Sequence, residues 1–213
     1  MGVPRIANYP LPEKSQLPAA KVDWQPDSSR AALLIHDMQQ YFLAAFNQGE
    51  SPINPVIANI KALLDICHKK GVPVFYTAQR GNQQRCDRGL QADFWGPGMK
   101  ADAAHETIVP ALTPGEDDFV LVKHRYSAFQ RSNLLTLLQA RQRDQLIVTG
   151  VYAQIGCQIS AAEAFQHDIE PFFVADAVAA YSQAHHEQTV NYVTGCCGVS
   201  LMTDDVVNAL DSH

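Results

Sequence analysis

The sequence predicts an α/β fold, a mainly parallel sheet of about six strands with helices on both faces. Apolar runs of strand length alternate along the chain with segments of helical period. The runs are continuously apolar rather than alternating, as in strands buried on both faces. Several runs also end in a residue suited to chemistry: Asp37 after AALLIH, Lys123 after DFVLV and Gly156 beyond QLIVTGVYAQI. Parallel strands bring such ends to one edge, where open α/β sheets hold their ligands.

Residues 1–29 are rich in proline and polar side chains and read as an extended arm laid over the body. Strand one is Ala31 to His36, and MQQYFLAAF continues as a helix beyond Asp37. A second helix over Asn54 to Lys70 puts Val56, Ile60, Leu63 and Cys67 on one stripe and ends at Gly71. VPVFYTAQ is strand two. Arg80 to Gly98 holds four glycines, one proline and little apolar period. A long excursion of this kind in a compact domain is a binding loop or lid. DFVLVK is strand three. Helix Ser132 to Arg143, strand Gln145 to Tyr152, helix Gly156 to Gln166, strand Phe172 to Ala175, helix Ala184 to Val193 capped by Gly195, and strand Val199 to Met202 complete the alternation.

With 213 residues and 46% hydrophobic content, one domain over 1–213 is the economical reading. A formal charge of -6 provides no basic field for nucleic acid or an anionic membrane. Prolines and charges break the N-terminal stretch where a signal peptide needs an apolar core, so a cytoplasmic location is expected. Cys67, Cys86, Cys157, Cys196 and Cys197 are odd in number and lack paired ligand spacing, which suggests reduced thiols and neither a disulfide framework nor a zinc site. His185 and His186 begin a helix without an accompanying ligand set.

Asp37 follows an apolar run, where desolvation raises a carboxyl pKa and favours a proton donor; the alternative is an N-cap for the next helix. Lys123 ends an apolar strand and needs an anionic partner or substrate unless it is solvated. Gly156 stands where a strand turns into a helix. It either lets a ligand approach the helix N-terminus or serves the turn geometry alone.

IHDMQQYF, YTAQ, DFWGPGM, VKHRYSAF, RDQLIVTGVYAQIGC, VADAVAAYSQAHH and the opening YPLP resemble the isochorismatases of the isochorismatase-like hydrolase superfamily, in order and over nearly the whole chain. The resemblance implies a Rossmann-like three-layer sandwich. It also implies hydrolysis of the vinyl ether of isochorismate to pyruvate and 2,3-dihydro-2,3-dihydroxybenzoate in siderophore supply, with no cofactor and no metal. Carried over by position, Asp37 is the general acid, Lys123 its charged neighbour, and Gly156 stands where cysteine hydrolases of the superfamily have their nucleophile. Gln79, Arg88, Tyr152 and Gly156 line the substrate, with Phe42 and Trp95 as apolar walls. Lys123 beside Asp37 lowers the acid's pKa, so burial or the substrate's two carboxylates must offset it.

The resemblance further implies a homo-oligomer, a dimer, and siderophore synthetase partners. Gln154 departs from the histidine usual at its position. TAQRGNQQRCDRG has no match to the metal-binding residues of nicotinamidases, and although ALDSH resembles the serine motif of carrier domains, no C-terminal carrier domain is expected. Competing readings are a 2-amino-2-deoxyisochorismate hydrolase of phenazine biosynthesis, a thiol amide hydrolase using Cys157, and a non-catalytic scaffold.

Overall fold

A computed structural model describes residues 4–212. In chain order its elements are β1 (Ala31–His36), α1 (Gln40–Leu43), α2 (Ile53–Lys70), β2 (Val74–Ala78), α3 (Arg85–Arg88), α4 (Gln91–Trp95), α5 (Ala103–Glu106), β3 (Phe119–Val122), α6 (Leu134–Ala140), β4 (Gln145–Val151), α7 (Gln158–Gln166), β5 (Glu170–Ala179), α8 (Gln183–Cys196), β6 (Val199–Leu201) and α9 (Thr203–Asp211). Among the described residues six strands form one parallel sheet in the order β3-β2-β1-β4-β5-β6. The order reverses between β1 and β4, and the crevice outside their carboxyl ends is the switch point of a doubly wound sheet.

β1 accounts for the three layers, because successive side chains point to opposite faces and all six of its residues are buried. Ala31, Leu33 and Ile35 join a core with Ile60 and Leu63 of α2 and Leu210 of α9. Ala32 and Leu34 join the opposite core with Leu138 of α6, Ala161 of α7 and Val193 of α8. The predicted α/β sandwich with about six strands is thus the observed one.

Several local expectations are corrected. The helix after Asp37 is only the four-residue α1. Gly71 does end α2 in the left-handed conformation, with φ 67° and ψ 25°. Gly195, however, lies inside α8, which runs on to Cys196 with Cys197 at its C-cap. β3 is an edge strand rather than a buried one: Leu121 is covered, while Val120 and Val122 are 48% and 39% exposed. β5 extends well beyond Phe172 to Ala175, and the terminal α9 has no counterpart in the sequence reading. Residues 1–3 of the arm and the final His213 lie outside the described residues. Among the described residues no helix is long and apolar enough to cross a membrane.

The arm is held by specific contacts. Ile6 and Tyr9 are buried, and the Ile6 N–H donates to Ala45 O at 2.8 Å. The Tyr9 hydroxyl accepts from the buried Ala180 N–H at 2.7 Å, at the carboxyl end of β5, and lies 3.2 Å from His186 Nδ1. Tyr9→Phe leaves the Ala180 N–H without its acceptor, so urea unfolding is expected to report a loss of about 1–3 kcal/mol. An unchanged unfolding midpoint would remove the arm from the account of stability.

Candidate active site

Asp37 follows the last residue of β1 with φ 51°, a left-handed conformation that Asp adopts more readily than most residues. Its N–H donates to Thr77 O at 3.2 Å and Thr77 Oγ1 at 3.1 Å, and the Thr77 hydroxyl donates to Asp37 Oδ1 at 2.7 Å. Lys123, one residue beyond β3, donates from Nζ to Asp37 Oδ2 at 2.8 Å. Gln79 Nε2 lies 3.4 Å from the same oxygen. Asp37 and Lys123 are each 4% exposed. They form a buried ion pair, so the solvated alternative for Lys123 falls. The capping alternative for Asp37 falls too, since α1 has Gln39 at its N-cap position and no side-chain cap.

Gln39 aligns the end of β2 instead. Its fully buried amide donates to Gln79 O at 2.9 Å and Glu106 O at 2.8 Å and accepts from the Gln79 N–H at 2.8 Å. That holds Gln79 beside the carboxylate.

Electrostatics correct one expectation. Burial acts to raise the Asp37 pKa, but the Lys123 ammonium and the hydrogen bonds from Lys123 and Thr77 outweigh it and hold the carboxyl below its ordinary value. An opposite charge at 2.8 Å in a dry site prevails over desolvation. Asp37 is therefore a carboxylate in the free site. Burial, aided by Lys123, keeps the His36 imidazole neutral by lowering its pKa.

Arg88, the last residue of α3, is 6% exposed and donates from Nε to Gly96 O at 2.6 Å. Among the described residues no carboxylate pairs with it, so the cleft holds a buried guanidinium without a counter-charge. Gly98 has φ 79°, and a Cβ there would come within 2.6 Å of that guanidinium. The glycine-rich excursion thus folds into α3 and α4 and carries Arg88 and Trp95 to the cleft.

The strand-end residues Asp37, Gln79, Lys123 and Gly156 border one cleft, and its walls include Arg88, Trp95, Phe42 and Tyr152. Each predicted site residue is therefore at the same place. The space between the walls of the cleft is about 580 Å³, solvent at its mouth included. Its rings are locked together: Trp95 Nε1 donates to the Tyr126 hydroxyl at 2.8 Å, and Tyr152 meets Tyr181 edge-on with ring centroids 4.7 Å apart. The Tyr152 hydroxyl donates to Phe42 O at 2.6 Å, so this residue offers the cleft its ring.

Sequence reasoning missed His36, Tyr41, Gln91, Tyr126 and Tyr181, which also line the cleft. His36 left a signal, as the one polar side chain in a strand whose every residue is buried. Gly156 borders the cleft, and of its two expected readings the one from turn geometry alone falls. Its φ is not left-handed, and the space a Cβ would take is filled by the His36 ring. Cys157 is fully buried, donates from Sγ to Thr149 O at 3.7 Å and has its thiol pKa pushed up by burial. It does not border the cleft, which argues against the thiol hydrolase reading. Both polar atoms of the Gln154 amide are buried without a hydrogen-bond partner among the described residues. No cluster of three or more metal-ligating side chains occurs among the described residues.

A family model described as the isochorismatase domain matches residues 31–205. The chain is 49% identical over 212 residues to an isochorismatase of Bacillus subtilis (strain 168), covering all of this chain and 68% of that protein. It is 47% identical over 209 residues to enterobactin synthase component B of Escherichia coli (strain K12), covering 98% and 73% of the two chains. It is 46% identical over 206 residues to phenazine biosynthesis protein PhzD1 of Pseudomonas aeruginosa, covering 97% and 99%.

Lys123→Met strands the Asp37 charge in a dry site and is expected to cost about 3–5 kcal/mol, much of it recovered when Asp37→Asn is added. Urea unfolding of the two single variants and the double variant measures this, and strictly additive losses would contradict the pairing. The folded Asp37 pKa lies below its unfolded value of about 4. Its contribution is therefore fully present above that value and lost as pH falls through the lower folded one. The stability gap between wild type and Asp37→Asn should accordingly be flat near neutrality and close only in strong acid.

Proposed function

The chain belongs to the isochorismatase family, and from that premise we propose that it hydrolyses the vinyl ether of isochorismate to 2,3-dihydro-2,3-dihydroxybenzoate and pyruvate, without a covalent intermediate, in catechol siderophore supply. The observation that carries the chemistry is charge. The buried Asp37–Lys123 pair lies in the same aromatic cleft as the Arg88 guanidinium, which has no counter-charge among the described residues. Such a cleft carries one net positive charge and calls for an anion.

Isochorismate brings two carboxylates. Arg88 takes one with its planar fork, while Gln79 and Lys123 face the reacting side chain. Two negative charges entering a cleft with one excess positive charge raise the proton affinity of Asp37, which takes up a proton as the substrate binds. Asp37 then delivers that proton to the terminal methylene carbon. A C–H bond forms, the enol π pair is consumed, and the ether oxygen shares the resulting positive charge. The Asp37 carboxylate, with Lys123 beside it, stabilises this cation. Water adds to the former enol carbon and releases a proton, and the hemiketal then breaks the bond between that carbon and the ether oxygen, which takes up a proton, to give pyruvate and the ring alcohol. No step requires a nucleophile at residue 156.

Homo-oligomer formation, a cytoplasmic site of action and hand-over to a siderophore synthetase complete the reading. The exposed Val120 and Val122 on the β3 edge support the first, since an open edge strand is a template for pairing. The relative named enterobactin synthase component B supports the last.

Purified protein is expected to release one pyruvate per isochorismate, and Asp37→Asn to lower kcat by about a hundredfold to ten-thousandfold with a smaller effect on KM. Retention of a tenth of the wild-type kcat or more would remove Asp37 from the acid role. Assaying 2-amino-2-deoxyisochorismate in parallel decides between siderophore and phenazine supply: a higher kcat/KM for the amino substrate would overturn the pathway assigned here.

A further inference from the structure

The proposed reaction gives His36 no part, yet this side chain is 1% exposed and stands at the centre of the strand ends. Its Nδ1 lies 2.7 Å from the carbonyl oxygen of Val151, the last residue of β4. Its Nε2 lies 3.2 Å from the carbonyl oxygen of Tyr126, in the segment after β3. The shorter contact assigns the hydrogen of the neutral ring to Nδ1, which donates to Val151. One imidazole on β1 thus hydrogen-bonds the end of β4 and packs against the loop after β3, and these segments carry Asp37, Tyr152 and Lys123. Nδ1 also lies 3.8 Å from Asp37 Oδ2. Asp37 needs an external hold, because its left-handed backbone persists only where the surroundings determine it.

The same ring fills the volume that a side chain at residue 156 would require. A Cβ built on Gly156 collides with His36 Cε1 first and then with Nε2 and Nδ1. The ring cannot retreat without losing the hydrogen bond to Val151. The backbone at 156 would accept an ordinary residue, so the collision is what demands glycine. Gly195 makes the contrast, since a Cβ there meets nothing within 4 Å.

We propose that His36 is a positioning residue that holds the Asp37 carboxylate in its reactive placement. By filling the space of a residue-156 side chain, it also makes His36 and Gly156 one unit that shuts a covalent nucleophile out of the cleft. The first half rests on the reading of Asp37 as the acid. The second stands on packing alone.

The test is a cycle of Gly156→Ala, His36→Ala and the double variant, together with His36→Asn. Thermal unfolding reads the unit. Gly156→Ala is expected to lower Tm by about 5–10 °C when His36 is present and by less than about 2 °C when residue 36 is alanine. If Gly156→Ala fails to fold, recovery of folding in the double variant supports the unit. An equal loss in both backgrounds, or failure of the double variant to fold, overturns it.

Isochorismate turnover per folded molecule reads the positioning. His36→Ala is expected to lower kcat by about tenfold to a hundredfold with KM within about twofold. His36→Asn should restore most of the loss, because its amide nitrogen takes the place of Nδ1 and can donate to Val151 O. Unchanged kcat in His36→Ala, or no recovery with Asn, overturns the positioning role. Absence of turnover by the wild-type protein would instead reject the proposed function and with it the positioning role, while the Tm cycle still decides the unit.

Discussion

A carboxylate and an ammonium 2.8 Å apart, each 4% exposed, set the terms for everything around them. Removing two charges from water is costly and is offset only when each finds partners of good geometry. The fold supplies those partners from separate strands: Asp37 follows β1, Thr77 lies in β2 with Gln79 just past its end, and Lys123 follows β3. No helix or hairpin could bring these positions together. A parallel sheet does so because its strands end on one edge, and the 3-2-1-4-5-6 order opens a crevice there.

What the sheet cannot provide, the connections do. The excursion after β2 folds into α3 and α4, burying Arg88 against Gly96 and placing Trp95 in hydrogen-bond contact with Tyr126. The ion pair is neutral by itself, so the excess positive charge of the cleft is that of Arg88. A rigid aromatic wall around a single unpaired cation selects a compact anion with an apolar body. A charged nucleophile has no place in this scheme, and Cys157, the nearest thiol in sequence to the turn, points into the opposite core.

The fold was legible because β1, β2 and β4 are buried on both faces and their sequences say so. β3 misled for a physical reason: Val120 and Val122 look like core residues, yet an edge strand leaves them exposed. Asp37 and Lys123 could be found from their positions at strand ends, and Gln79, Arg88 and Trp95 only by carrying the family resemblance over position by position. His36 could not be assigned, because one histidine in an apolar run does not reveal that its two nitrogens meet carbonyls of β4 and the segment after β3. Gly156 borders the cleft, but its steric constraint was not legible. Its constraint comes from a side chain 120 positions earlier, a contact that only the folded chain contains. The sign of the Asp37 shift was likewise a contest between burial and Lys123 that needed the distance between them.

In the proposed reaction Asp37 rests as a carboxylate beside Lys123 and becomes an acid only when a dicarboxylate enters. Calorimetric binding of the saturated lactyl ether analogue of isochorismate, which cannot be cleaved by enol protonation, tests this in buffers of different ionisation enthalpy near pH 7. The account expects uptake of about one proton per site, absent in Asp37→Asn, since two negative charges enter a cleft with one excess positive charge. Tight binding by the wild-type protein with no proton uptake would contradict it.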